Sequence, residues 1–304
     1  MGRGADKILG MGIIEDTKKI SVPGGNITAF HIYTSKTKHA LPLVYVHGGP
    51  GGNCDLAKHY LRDLASERPL IFYDQLGSYH SPAPISDELI KPERFAQELH
   101  EVFNAFSLEH ACLIGHSWGA CIAIDFALAQ PGRTTGLILS SPLISTPRWI
   151  ADARLLLSNM PEEAQAIIKH HEDAGTTIDP AYQSAADIFY KRHFCRLDPW
   201  PQSILDSFSK TNRALYKKMW GPAEFTCKGT LKDYDRFPDL HKLSMPVLLT
   251  AGRYDEARPE TMEDAAREIP NSRLVIFEDS AHVPYIEESN AFREAIANFA
   301  RNLA

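Results

Sequence analysis

The chain has no excess of basic charge: among 304 residues, 32 Lys and Arg stand against 38 Asp and Glu, a formal net charge of −6. No Lys/Arg run breaks this balance, so the electrostatic footprint of a nucleic-acid-binding protein is missing. Long apolar runs are missing too. No stretch reaches the ~18 to 20 apolar residues that a membrane helix needs, and Met1 to Ile20 lacks the apolar core of a signal peptide. A soluble, cytoplasmic protein without a membrane partner is expected. Asp6 stands where a myristoylation motif beginning Met1-Gly2 wants Ser or Thr, so lipidation is not expected either. Cysteine is sparse: Cys54, Cys112, Cys121, Cys195 and Cys227 are an odd number without a Cys-x-x-Cys pair. That argues against a disulfide framework and a zinc ribbon, and for buried, reduced thiols. The chain also lacks a Gly-x-Gly-x-x-Gly fingerprint, a Gly-Lys-Ser/Thr phosphate loop and a His-Glu-x-x-His pair. No cofactor or metal is therefore expected. His170-His171 with Glu172-Asp173 is a polar cluster without recognised ligand spacing.

What is present is ordinary globular composition, 44% hydrophobic and 23% charged, enough for a packed core. Short apolar runs bounded by turn residues fall at Leu43–Val46, Leu70–Tyr73, Ala111–Ile114, Leu137–Leu139, Val247–Thr250 and Leu274–Phe277. Helical patterns separate them, which is the rhythm of an α/β protein with a mostly parallel sheet covered on both faces. Ile13–Val22 and Ile27–Tyr33 flank Pro23-Gly24-Gly25 and read as an N-terminal antiparallel hairpin. After Pro92, apolar Phe95, Leu99, Val102, Phe103 and Phe106 recur at helical spacing and predict a sheet-covering amphipathic helix. The rhythm breaks between about Leu143 and Leu240, where helical patterns (Ile150–Met160, Ala181–Phe194) carry Trp149, Phe189, Tyr190, Trp200, Tyr216 and Trp220. This predicts a core in two parts, residues 1–142 and 241–304, with a helical cap at 143–240 inserted between them.

The sharpest local signal is Gly115-His116-Ser117-Trp118-Gly119, between the strand Ala111–Ile114 and the helical run Ala120–Ala129. A serine nucleophile needs a tight strand-to-helix turn, with glycines two positions either side because side chains there would clash. The helix N-terminus beneath it favours developing negative charge. A serine hydroxyl is a poor nucleophile at neutral pH, so it needs a general base, and the base needs an orienting carboxylate. Asp255 follows the strand Val247–Thr250, and His282 follows Leu274–Phe277. Both sit past strand carboxyl ends, where an open parallel sheet places its active site. Ser117, Asp255 and His282 are the expected triad. His47-Gly48-Gly49-Pro50-Gly51 follows the strand Leu43–Val46, and its glycines let backbone approach a substrate. The N–H groups of Gly49 and Trp118 are the expected oxyanion donors; His47 is expected to fix the loop by hydrogen bonding. Cys121, one turn past Ser117, reads as a packed helix residue.

The segments His47-Gly48-Gly49-Pro50-Gly51 and Tyr73-Asp74-Gln75-Leu76-Gly77, with the turn at Ser117, resemble the proline iminopeptidase family of α/β-hydrolases. The likeness continues through Phe189-Tyr190 with His193, Trp200-Pro201, Gly221-Pro222-Ala223-Glu224-Phe225 and Gly229-Thr230-Leu231-Lys232-Asp233. These resemble the tricorn-interacting aminopeptidase branch and the related L-amino acid amidases. The resemblance implies an α/β-hydrolase fold and a cofactor-free serine aminopeptidase that releases N-terminal residues. It also implies that Glu224 and Glu256 hold the substrate's free α-ammonium, since paired carboxylates offer charge-assisted acceptors and reject blocked amines. Where the family has a second glycine after Asp-Gln-x-Gly, this chain has Tyr79 in Ser78-Tyr79-His80-Ser81. That departure predicts an altered loop at the rim of the site, with consequences for substrate range.

The expected reaction is hydrolysis of an amide bond after a residue with a free α-amino group, through an acyl-enzyme on Ser117. The expected partner is a small molecule or short peptide. Amide hydrolysis of L-amino acid amides is the near alternative, and an esterase or biosynthetic acyl hydrolase on the same scaffold a more distant one. A scaffold turned ligand receptor is the non-enzymatic alternative. The oligomeric state is left open.

Overall fold

The computed structural model describes residues 7–9 and 12–303. Met1, Gly2 and Asp6, which carry the lipidation reading, lie outside them, as do Gly10, Met11 and Ala304. Among the described residues there are nine strands: β1 (Lys7–Leu9), β2 (Ile13–Val22), β3 (Gly25–Tyr33), β4 (Leu43–Val46), β5 (Leu70–Asp74), β6 (Ala111–His116), β7 (Thr134–Ser140), β8 (Val247–Gly252) and β9 (Ser272–Phe277). They form one sheet in the order β1-β2-β3-β5-β4-β6-β7-β8-β9. β1, β2, β3 and β5 pair antiparallel, and from β5 to β9 every neighbouring pair is parallel. The expected hairpin is β2–β3, closed by Pro23 and Gly24 with Val22 opposite Gly25. β1 was not foreseen, because three residues are too few for a period-two signal.

The central strands are buried on both faces, and their alternation sorts the core. Val44, Val46, Ile71, Tyr73, Leu113, Leu137, Leu139, Val247 and Leu249 pack on one side. Leu43, Tyr45, Leu70, Phe72, Cys112, Ile114, Ile138 and Leu248 pack on the other. Helices α1 (Asp55–Leu61), α2 (Pro92–Ala105) and α3 (Trp118–Ala129) follow β4, β5 and β6. α2 and α3 cover the first face through Phe95, Leu99, Phe103, Ile122 and Phe126. α3 is buried at nine of its twelve positions, as a helix apolar all round must be.

Between β7 and β8 lie α4 (Thr146–Ser158), α5 (Glu162–Ala174), α6 (Pro180–His193), α7 (Gln202–Ser209) and α8 (Arg213–Met219). Ser145 caps α4, Asp179 caps α6 and Asn212 caps α8, each through its side-chain oxygen. Such caps satisfy N–H groups that the helix cannot. Ala153, Met160, Ile168, Tyr182, Phe189 and Phe225 give this insertion a small core of its own. Trp149, Leu215, Met219 and Trp220 join it to the sheet's core. Helices α9 (Pro259–Glu268), α10 (Pro284–Glu287) and α11 (Ser289–Arg301) complete the chain. All five cysteines are free, and Cys121 donates its thiol to the Leu143 carbonyl. Among the described residues no helix is long and apolar enough to cross a membrane, and no cluster of three or more His, Cys, Asp or Glu could hold a metal ion.

Candidate active site

The turn after β6 shows why its residues are what they are. Ser117 adopts φ 52° and ψ −124°, a conformation that L-residues avoid. Such strain persists only where the surroundings over-determine it. Here the Ser117 N–H donates to the Ser140 carbonyl, and the Ser117 carbonyl accepts from the N–H groups of Ala120 and Leu143. A Cβ on Gly119 would lie 2.1 Å from the Val46 carbonyl oxygen, and one on Gly115 would lie 2.7 Å from Ala120 Cα. Both positions exclude any side chain.

Across the mouth of the sheet, Asp255 follows β8 and His282 follows β9. His282 Nδ1 and Asp255 Oδ1 are 2.8 Å apart, and both residues are buried. Asp255 also accepts from the Ala257 N–H at 2.8 Å and the Gly252 N–H at 3.3 Å. These bonds hold the carboxylate in one orientation and fix the imidazole with its proton on Nδ1, leaving Nε2 free to accept one. The His282 N–H donates to the Phe194 carbonyl, and the rings of Trp149 and Phe194 pack against the imidazole at 5.7 and 5.8 Å. The insertion thus supplies part of the wall around His282.

Ser117, His282, Gly49 and Glu224 line one cavity of about 110 Å³. Its remaining wall is largely apolar, with Tyr45, Leu56, Phe194, Ile204, Phe208 and Tyr285. Among the described residues Ser117 Oγ makes no hydrogen bond. Such bonds often form only when a substrate is in place. Gly49, at φ 124°, has no acceptor for its N–H among the described residues. The Trp118 N–H, first in α3, has no intrahelical acceptor.

The two glutamates fall together. Glu256 is buried beside Asp255, and among the described residues neither of its carboxylate oxygens has a hydrogen-bond partner. Burial, then the negative charges of Glu224 and Asp255, push its carboxyl well above the usual range. Burial also raises Glu224, against the opposing pull of His282 and of the Tyr216 hydroxyl. The Trp149 indole donates to the Glu224 carbonyl at 3.0 Å, and the Glu224 N–H reaches the Tyr190 hydroxyl at 3.4 Å. Paired carboxylates, one with both acceptor oxygens unused, can receive a cation with several donors.

His47 is buried and pushed below the usual imidazole range by desolvation. Its Nδ1 lies 2.7 Å from the Gly48 carbonyl and its Nε2 accepts from the Gln75 N–H at 3.1 Å, which is the loop-fixing role expected of it. The loop carrying Tyr79 departs from expectation. No residue from 77 to 81 lines the cavity. Tyr79 does not need positive φ; its ring is exposed and lies 5.0 Å from the Lys210 ammonium. The loop is pinned instead under the insertion: Asn212 donates to the Gly77 carbonyl, while Asp55 takes both His80 and Lys210. The change that Tyr79 represents is absorbed there, away from the cavity. Of the insertion's aromatic residues singled out in the sequence, Tyr216 alone lines the cavity.

Sequence reasoning missed Glu98. It is buried on α2, takes the Leu76 N–H with both carboxylate oxygens and pairs with Arg94. Burial pushes its carboxyl up to about 7, with Arg94 pulling the other way. The signal was available: position 98 lies three residues after Phe95 and four before Val102, inside the apolar stripe.

A serine on a strained strand-to-helix turn, at the carboxyl edge of a mostly parallel sheet, defines the class of α/β hydrolases, and a family described as alpha/beta hydrolase fold matches residues 42–289. The chain is 36% identical to the proline iminopeptidase of Heyndrickxia coagulans over 93% of its own length and 98% of that protein's. It is 36% identical to that of Saccharolobus solfataricus over 84% of each chain. Among solved structures, the proline iminopeptidase of Mycobacterium smegmatis superposes with a TM-score of 0.86 at 32% identity, covering 94% of this chain and 97% of that one. VinJ superposes with a TM-score of 0.89 at 28% identity, covering 95% and 99%. The chain belongs to the proline iminopeptidase family of α/β hydrolases.

Proposed function

We propose that this chain is a cofactor-free serine aminopeptidase that cleaves the amide bond after an N-terminal residue with a free α-amino group. His282, oriented by Asp255, takes the Ser117 proton as the hydroxyl attacks the carbonyl. The N–H groups of Gly49 and Trp118 receive the developing oxyanion, a contribution of about 2.7 to 4 kcal/mol for each such donor. The amine leaves with the proton from His282, and water, activated by the same imidazole, releases the acyl group from Ser117. Glu224 and Glu256 hold the α-ammonium, and residues 143–240 act as a cap over the cavity. Its substrates are short peptides or small amides, met in the cytoplasm.

The observation that carries this reading is the pair Glu224 and Glu256. Two carboxylates, Glu224 lining the cavity and Glu256 buried with both oxygens unpartnered, stand beside an aspartate–histidine pair. An esterase acting on neutral substrates has no use for them, and the esterases of like fold are too distant in sequence to speak to activity. The test is turnover of Pro-, Ala-, Leu- and Phe-arylamides, each beside its N-acetylated partner, with Ser117→Ala as the blank. Cleavage of the free amines alone, lost in the blank, is expected. Equal cleavage of blocked substrates would remove the ammonium site from the account. Comparing Pro-Ala with prolinamide then separates peptidase from amidase action.

A further inference from the structure

An oxyanion site works only if its two donors keep a set spacing, and here they belong to different segments. Gly49 lies on the loop after β4, and Trp118 opens α3. A third segment, the turn after β5, touches both. The Gln75 side-chain Nε2 donates to the His47 carbonyl at 2.9 Å, and its backbone N–H donates to His47 Nε2 at 3.1 Å. The Trp118 indole N–H donates to Gln75 Oε1 at 2.9 Å. Gln75 is 1% exposed, and Leu76 beside it is held by Glu98. We propose that Gln75 is a positioning residue that ties the Gly49 loop to the Trp118 turn and so sets the spacing of the two oxyanion donors. The proposal rests on the acyl-transfer reading above.

The chemistry asks for a primary amide. One end must donate to a carbonyl and the other accept from an indole, both without water. A carboxylate at position 75 would set an acceptor against the His47 carbonyl. An apolar side chain would leave that carbonyl and the indole N–H buried and unpaired. Gln75 lies behind the donors and does not line the cavity, so substrate binding in the ground state does not depend on it. Its effect belongs to the transition state.

The experiment compares wild type with Gln75→Leu on a free aminoacyl-arylamide. Two inhibition constants are read alongside: an α-aminoboronic acid, whose tetrahedral adduct on Ser117 fills the oxyanion site, and the free amino acid product, which does not. Gln75→Leu is expected to lower kcat 10- to 100-fold with KM within about twofold, and to weaken the boronate at least tenfold while leaving product binding unchanged. Trp118→Phe, which deletes the same indole donor, shifts the constants in the same direction, and the double variant is no worse than the more severe single. Should Gln75→Leu fail to fold, Trp118→Phe alone carries the test. Parallel loss of boronate and product binding, or no loss of either, overturns the proposal. Turnover surviving in Ser117→Ala would instead remove the underlying reading, whereas Ser117-dependent turnover with an unchanged boronate constant in Gln75→Leu removes the role of Gln75 alone.

Discussion

His282 Nε2 lies 3.8 Å from Glu256 Oε1, while Nδ1 of the same ring lies 2.8 Å from Asp255 Oδ1. Two consecutive carboxylates thus address opposite edges of one imidazole. They are held very differently. Asp255 is saturated with hydrogen bonds, and Glu256 has none. The saturated group can serve a fixed partner, and the empty one is free for a partner that comes and goes.

Glu256→Gln is therefore expected to trade activity for stability. Leaving an ammonium half-paired in a buried site costs several kcal/mol, so kcat/KM for free-amine substrates falls roughly 10²- to 10³-fold. The folded protein gains, because a carboxyl raised well above its ordinary range by burial destabilises the fold once it ionises. That cost is absent below the unfolded carboxyl's range and present above the raised folded value. Tm in Glu256→Gln accordingly rises by about 2 to 4 °C near neutral pH and converges with wild type in acid. A melting curve at two pH values checks both halves; a Tm that drops at neutral pH would refute the account.

The pH profile carries a second consequence. Glu224 and Glu256 are both raised, by burial first, and must be ionised to hold an ammonium. The acid limb of log kcat/KM for an aminoacyl-arylamide is expected to fall with a slope above one, because both carboxylates must lose protons. Glu256→Gln removes one proton from that count, so its limb is shallower. Identical limbs in the two enzymes would show that the carboxylates do not titrate with binding.

Asp255→Asn tests the orientation of the base. The amide nitrogen would turn toward either the imidazole or the backbone N–H groups of Ala257 and Gly252, spoiling the tautomer or the fit. Loss of kcat by about 10³ to 10⁴ is expected with KM little changed. A loss under tenfold, measured on folded protein, would mean that Asp255 does not orient the base.

Gly119→Ala tests the strained turn. Its new methyl would sit 2.1 Å from the Val46 carbonyl oxygen and 2.6 Å from that of His47, and backbone of central strands cannot yield cheaply. Destabilisation of at least about 3 kcal/mol is expected, read from denaturant unfolding. Gly132→Ala, where a Cβ meets nothing within 4 Å, is the control and should be near neutral.

The places of Ser117, Asp255 and His282 after β6, β8 and β9 were legible in the sequence, because at a strand end local turn chemistry and apolar runs announce position. The sheet was legible for the same reason, down to the hairpin at Pro23-Gly24. Glu98 was not, since a charge inside an apolar stripe looks like an outward residue until Arg94 and the Leu76 N–H are seen around it. The part that Trp149 plays was equally hidden. Its indole N–H and its ring serve Glu224 and His282, partners 75 and 133 positions away, and only tertiary packing brings them together. The Tyr79 loop misled because a motif departure says that backbone differs, without saying what it now touches.

Glu224 hangs from the helical insertion and Glu256 from the end of β8, so the pair straddles the seam between two layers of the molecule. A cation gripped by both is a rivet. Under the proposed reading, the free amine of a substrate would fasten the roof of its own reaction chamber besides being recognised, and release of the amino acid product would unfasten it. A blocked or amine-free ligand would then leave the seam unclasped however well its side chain fits the apolar wall.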